Sequence, residues 1–142
     1  FLNFKNKYAI ILSLTSNEGA EDFQFLTSDN TPLFESVIKS SKTWKNSEKI
    51  MYVVGATRSE FIKKIRSIVP NSFLLIPGVG AQGGDVSDVA KAGMNDQCGL
   101  IVNSSRQIIY ANNGLEFGIF AREEAIKLQK VMEKELINKG II

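Results

Sequence analysis

The chain has 142 residues, 44% apolar and 23% charged, the length and balance of one globular domain with a substantial core. Seventeen basic against fifteen acidic residues give a dispersed net charge of +2, which argues against a nucleic-acid stripe or an anionic membrane surface, and no apolar run approaches the ~20 residues of a membrane span. With no histidine and a single cysteine, Cys98, the chain itself cannot build His-based acid–base catalysis, a Ser-His-Asp triad, a His-ligated metal site, an internal disulfide or a Cys-x-x-Cys site.

Residues 1–7 lack the organisation of a signal peptide, and a start at Phe rather than Met suggests that the natural N-terminus lies elsewhere. The sparse cysteine fits a reducing, cytoplasmic setting. Cys98, just before an apolar run and with no His to activate it, is expected to be a buried structural thiol.

Residues 8–14 form an unbroken apolar run, the pattern of a strand buried on both faces of a parallel sheet. Thr31-Pro32 looks like a helix start, with Thr as N-cap and Pro at the first helical position. Leu33, Phe34, Val37, Ile38, Ser41 and Trp44 follow at helical spacing, and Trp44 is expected as the last core residue. Lys42 and Lys45 beside it suit the negative end of the helix dipole. The second strand lies within residues 50–55. Thr57-Arg58-Ser59-Glu60 then has the form of a capping box, followed by the stripe Phe61, Ile62, Ile65, Ile68 and Val69 up to Pro70. Residues 73–76 make the third strand, and Asp85 is placed to cap a short helix through about Ala92. Residues 99–102 make the fourth strand. A final amphipathic helix is predicted over 116–138, with Phe117, Phe120, Ala121, Leu128, Val131, Met132 and Leu136 on its apolar side. Lys63, Lys64, Lys127, Lys130, Glu133 and Lys134 fall on the polar faces of these helices.

The order is strand–helix four times, without a linker or low-complexity tract, so residues 1–142 read as one α/β unit. Right-handed crossovers give four parallel strands with helices outside. Polar or Gly-rich residues follow every strand, which favours half of a (β/α)8 TIM barrel over an open sheet with a single crevice.

Chemistry concentrates at the strand exits. Ser16, in Leu14-Thr15-Ser16-Asn17, is either a turn residue or a ligand contact. In Pro77-Gly78-Val79-Gly80-Ala81-Gln82-Gly83-Gly84, four glycines carry a high conformational cost unless the backbone must approach something closely. Gln82 can donate and accept, which suits a heterocyclic amide or a phosphate oxygen. The loop is neither a dinucleotide fingerprint nor a P-loop. Arg106 follows Val102-Asn103-Ser104-Ser105 at the next strand exit, and its guanidinium fork matches phosphate.

Together these motifs, with Val54-Gly55-Ala56-Thr57, resemble orotidine 5′-phosphate decarboxylase, in its longer bacterial branch and its C-terminal half, strands 5 to 8 of the barrel. The resemblance runs from Tyr8 into the last helix. It implies removal of CO2 from orotidine monophosphate to give uridine monophosphate, with no metal and no organic cofactor, in an enzyme that is usually a dimer. It implies that Ser16 bonds the pyrimidine amide edge, Gln82 bridges phosphate and pyrimidine, and Arg106 binds phosphate. Ser105 and Gly83 would offer backbone N–H groups nearby, and Pro77 with Gly78 would form the wall and turn beneath. The family's Asp-x-Lys-x-x-Asp pattern and further Lys have no counterpart here. The chain therefore resembles the substrate-gripping half, expected to be inactive alone and to need an N-terminal half. A non-catalytic half-barrel that binds a phosphorylated ligand, or a related enzyme such as a hexulose phosphate synthase, are the alternatives.

Overall fold

The computed structural model describes residues 1–80 and 83–142. In chain order its elements are β1 (Ala9–Leu14), α1 (Ala20–Phe23), β2 (Thr27–Ser28), β3 (Thr31–Pro32), α2 (Leu33–Ser41), β4 (Ile50–Val54), α3 (Ser59–Ile68), β5 (Leu74–Pro77), α4 (Val86–Gly93), β6 (Leu100–Asn103), α5 (Ser105–Ile109) and α6 (Phe117–Lys139). The main sheet has the order β1-β4-β5-β6, and every neighbouring pair is parallel. This is the four-stranded half-barrel order expected from the repeated strand–helix pattern.

The helices cover one face only. Ile50, Tyr52 and Val54 of β4, Leu74 and Ile76 of β5 and Leu100 of β6 are buried against Phe34 and Ile38 of α2, Ile62 and Ile65 of α3 and Val89 of α4. Phe25, Phe34 and Phe61 meet edge to face, with ring centroids 5.2–5.7 Å apart, and lock α2 to α3. The opposite face is also apolar. The pairing register aligns Leu12, Val53, Leu75 and Ile101 in one row across all four strands. Leu12 is 60% and Ile101 40% exposed. The first strand is therefore apolar on both sides, as its sequence says, but this chain covers only one of them.

Several local expectations are corrected. Thr31 does not cap α2: it pairs with Ser28 in a small antiparallel hairpin, and Pro32 in extended conformation occupies the cap position. The helix ends at Ser41, so Trp44 falls beyond it and is 52% exposed rather than in the core. Thr57 and Glu60 form no capping box, because α3 starts one residue later than that motif requires, with Arg58 at the cap and no side-chain cap bond. Asp85 does cap α4, accepting from the Asp88 N–H at 2.9 Å. Cys98 is half-buried and packs against the core.

The last helix differs most. Its span matches the prediction within a residue, yet none of its residues is fully buried, and Phe117 is 62% exposed. Twenty-three residues rise about 34 Å, whereas a four-residue strand spans roughly 13 Å, so β6 cannot accompany the helix along its length. It rests instead on α4 and α5, with Leu128 reaching the core.

Polar groups tie the layers together. Lys42 is not simply a helix-end charge for α2: its ammonium donates to the Ile68 carbonyl at the end of α3, at 2.6 Å. The Arg66 guanidinium donates to the carbonyls of Val69, Pro70, Ser72, Gly93 and Gly99, closing the end of the sheet where the strands begin. Burial holds its pKa below the usual arginine value. Lys64 is not merely solvated: it pairs with the buried Glu35 of α2, which also meets Lys39 at 3.4 Å.

Burial raises the Glu35 pKa, but the two ammonium groups outweigh it and leave the carboxyl below its ordinary value of 4.5. A depressed carboxylate stabilises the fold above the unfolded pKa, and that stability is lost as pH falls through the folded value. Melting temperature against pH should therefore fall on the acid side below pH 4.5. Glu35→Gln should flatten that limb while lowering the neutral-pH plateau; an unchanged acid limb would place the stabilisation elsewhere.

Candidate functional site

Parallel strands deliver all four exits to one end of the sheet. There the loops are stitched by backbone bonds. Gly55 N–H donates to the Leu14 carbonyl at 2.9 Å, joining the β4 exit to β1, and Ala56 N–H donates to the Pro77 carbonyl at 2.9 Å, joining it to β5. A Cβ on Gly55 would lie 2.7 Å from the Ser16 backbone nitrogen, so the close approach of the first loop excludes a side chain there.

The first loop is held from its far side by Gln24, which follows α1. Its carbonyl accepts from the Thr15 N–H and its amide donates to the Thr15 hydroxyl, both at 2.9 Å. Sequence reasoning missed Gln24 because no motif marks a glutamine whose partner is backbone nine residues away. Thr15, Ser16, Asn17, Thr57 and Pro77 then line one cleft of about 330 Å³. Ser16 and Pro77, assigned from separate motifs, thus meet in one place. Thr57, read in sequence as a helix cap, faces the same cleft.

The β5 loop turns back on itself. Val79 and Gly84 form a bridge, Gly80 N–H donates to the Gly84 carbonyl at 3.0 Å, and Gly83 N–H donates to the Gly80 carbonyl at 2.8 Å. Gly80 has φ +75°, and Gly84 is buried where a Cβ would overlap that of Ala56. The close approach that the glycines demand is therefore met in part by the neighbouring β4 loop. Gln82, the polar centre of the loop in sequence, lies outside the described residues.

At the β6 exit, Ser104 is buried and its hydroxyl donates to the Val79 carbonyl at 3.2 Å, docking this exit on the β5 loop. No sequence pattern marks α5, which begins at Ser105 and carries Arg106 in its first turn. The Ser105 hydroxyl donates to the Asn103 carboxamide oxygen at 3.0 Å. Arg106 is exposed and meets no carboxylate among the described residues. Arg58, at the β4 exit, is instead engaged: it pairs with Glu21 at 2.7 Å and lies over the Phe25 ring. Of these two guanidinium groups, Arg106 is the one whose fork remains available to an external anion.

A glycine-rich loop beside an uncommitted arginine, next to the cleft lined by Thr15, Ser16, Asn17 and Thr57 at the strand exits, suits a phosphorylated ligand. The family model for orotidine 5′-phosphate decarboxylase / HUMPS matches residues 3–116. The chain belongs to that family. Its relatives include proteins named orotidine 5′-phosphate decarboxylase from Flavobacterium johnsoniae, 58% identical over 98% of this chain, and from Porphyromonas gingivalis strain ATCC 33277, 52% identical over the whole chain. The chain spans about half the length of these relatives, 51% and 52%. Among solved structures it is similar to Leishmania donovani OMP decarboxylase, at TM-score 0.74 and 26% identity over 92% of this chain and 50% of that one. It is also similar to Leishmania donovani UMP synthase, at TM-score 0.75 and 29% identity over 91% of this chain and 29% of that one. The likeness to these structures agrees with the parallel half-barrel described above.

The tightness at Gly55 has a measurable consequence for this family member. Gly55→Ala forces the new methyl against the Ser16 backbone and should destabilise by about 1–3 kcal/mol, as overpacking does. Urea unfolding should show this as a lower midpoint with an unchanged slope. An unaltered midpoint would mean that the first loop yields freely.

Proposed function

We propose that this chain supplies the pyrimidine- and phosphate-binding half of an orotidine 5′-phosphate decarboxylase, which converts orotidine monophosphate to uridine monophosphate and CO2 in pyrimidine synthesis. The observation that carries the reading is the convergence of Ser16 and Pro77 on one cleft, with the uncommitted Arg106 at the exit of the next strand beyond Pro77 on the same rim. Ser16 would bond the amide edge of the pyrimidine against the Pro77 wall. Gln82 would bridge ring and phosphate, and Arg106 would take the phosphate with help from Ser105 and Gly83. In this structure the Gly83 N–H closes the loop on Gly80, so its service to a ligand would require that turn to open or share its bond. No metal or organic cofactor enters the reading.

The chemical logic is one of remote binding. A phosphate held far from the breaking bond can still lower the barrier, because its binding energy organises and desolvates the reacting centre. The Lys/Asp residues that would press on the carboxylate and protonate the ring carbon belong to the other half. That half is also the natural partner for the bare sheet face. Leu12, Val53, Leu75 and Ile101 would line the barrel interior, and the free edges of β1 and β6 would each gain a strand. In the assembled form we propose a cytoplasmic homodimer.

Two measurements test the assignment. The purified chain alone should show no decarboxylation, and activity should appear when the complementary half of the Flavobacterium johnsoniae relative is added or fused. Turnover by the chain alone would require an unassigned Lys in residues 1–142 to deliver the proton. Within the active assembly, Arg106→Ala should lower kcat/KM by roughly 30-fold or more, since the phosphate loses a charge-assisted pair worth on the order of 2–5 kcal/mol. Orotidine lacking the phosphate should be turned over by both forms at nearly the same rate. Equal losses on the two substrates would make Arg106 structural, and tighter binding of ribose 5-phosphate than of uridine monophosphate would favour a sugar-phosphate enzyme.

A further inference from the structure

Behind the β5 loop lies a second cleft, of about 220 Å³, between that loop and α6. Gln107, one residue beyond Arg106, spans it. Its side-chain oxygen sits where a Cβ of Gly80 would be, so the carboxamide packs directly on the Gly80 backbone. The Ser104 hydroxyl lies 3.5 Å from the same oxygen and 3.2 Å from the Val79 carbonyl, and its one proton is shared between them. On the other side Gln107 Nε2 donates to Glu124 of α6 at 2.9 Å, and Glu124 in turn holds Lys127 at 2.5 Å. Lys127, and after it Gln107, hold the Glu124 carboxyl below its ordinary range, and Glu124 holds the Lys127 ammonium above its own.

The chemistry at Gln107 is specific. Its acceptor end faces a hydroxyl and the Gly80 backbone, and its donor end faces a carboxylate. Neither a carboxylate nor an aliphatic side chain can meet both demands. Gly80 belongs to the β5 loop, and Gln107 shares α5 with Arg106. The contact therefore spans the two parts of the proposed phosphate grip from behind and anchors both to α6.

The geometry points to Gln107 as a positioning residue, which fixes the separation between the β5 loop and Arg106 without touching the substrate. This inference rests on that loop and Arg106 being the phosphate grip. A polar clamp that sets donor geometry to a fraction of an ångström governs affinity for the anion rather than for the ring.

The test uses the active assembly, with inorganic phosphate as the binding probe and with substrates carrying or lacking the phosphate. Gln107→Leu should weaken inorganic phosphate binding and lower kcat/KM for the phosphorylated substrate by about tenfold each, leaving turnover of the nucleoside unchanged. Gln107→Glu should do worse, because it sets two carboxylates against each other. Combining it with Glu124→Gln should recover much of the loss, since donor and acceptor then merely change places. If Gln107→Leu fails to fold, this exchange pair decides the question alone. A lower melting temperature with unaltered phosphate affinity, equal losses on both substrates, or no recovery in the exchange pair would each overturn the positioning role. Should Arg106→Ala leave phosphate binding intact, the assignment of the grip itself fails. Should Arg106→Ala abolish phosphate binding while Gln107→Leu does not alter it, only the clamp fails.

Discussion

Parallel pairing constrains everything else in this molecule. Four strands running the same way bring their exits to one rim, and the register then decides which residues are neighbours there: Leu14 beside Val54, Pro77 beside Asn103. Each loop departs from a position already fixed by its neighbour. The backbone bonds from Gly55 to Leu14 and from Ala56 to Pro77 extend this order beyond the strands themselves. The candidate site here has walls that are continuations of the sheet.

That site is supported from outside by side chains that never face it. Gln24 holds Thr15, Ser104 holds Val79, and Gln107 presses on Gly80. All three bind backbone or lie against it. Small residues on the inner side (Gly55, Ala56, Gly84) let the loops draw together, and polar side chains on the outer side set how close they come. At the opposite end of the sheet Arg66 plays the complementary part, collecting carbonyls from the ends of α3 and α4 and from the turns before β5 and β6. A guanidinium can do this because its donors radiate in one plane, and carbonyls at helix ends lack internal partners.

The four strands of the main sheet with their parallel order, and the four principal helices, were legible because apolar runs and helical stripes report burial directly. Asp85 was legible as a cap, since its carboxylate reaches the Asp88 N–H as the local pattern requires. What escaped detection depended on partners distant in sequence. Thr31 and Thr57 have the residue types of helix caps, but the hairpin claims one and the later start of α3 releases the other. Trp44 continues a helical spacing beyond the point where the helix stops. The apolar side of α6 is real in sequence, yet nothing in this chain is long enough to bury it. Among the candidate site residues, Ser16, Pro77 and Arg106 could be singled out because they stand at strand exits within recognisable motifs. Gln24 and Gln107 could not, since each is an ordinary glutamine until the fold brings a backbone against it.

The doubly apolar sheet leaves an alignment problem that its strands alone do not solve. In a sheet with one wet face, sliding a strand by one residue turns its greasy side outward, and the penalty locks the alignment. Here both sides of β4 are greasy, so a slide that put Met51 and Val53 in place of Ile50, Tyr52 and Val54 would still set apolar residues against the helices, and the pattern alone discriminates weakly. The Tyr52 hydroxyl removes that freedom. It is buried 2.8 Å from the Ser41 hydroxyl of α2, and Ser41 also donates to the Ile38 carbonyl. A slipped strand would turn the phenol away and leave the buried Ser41 oxygen without its donor, a penalty of about 1–3 kcal/mol. One hydrogen bond thereby acts as an index pin for a strand whose hydrophobic pattern would accept either setting, and the rim inherits its alignment from that pin.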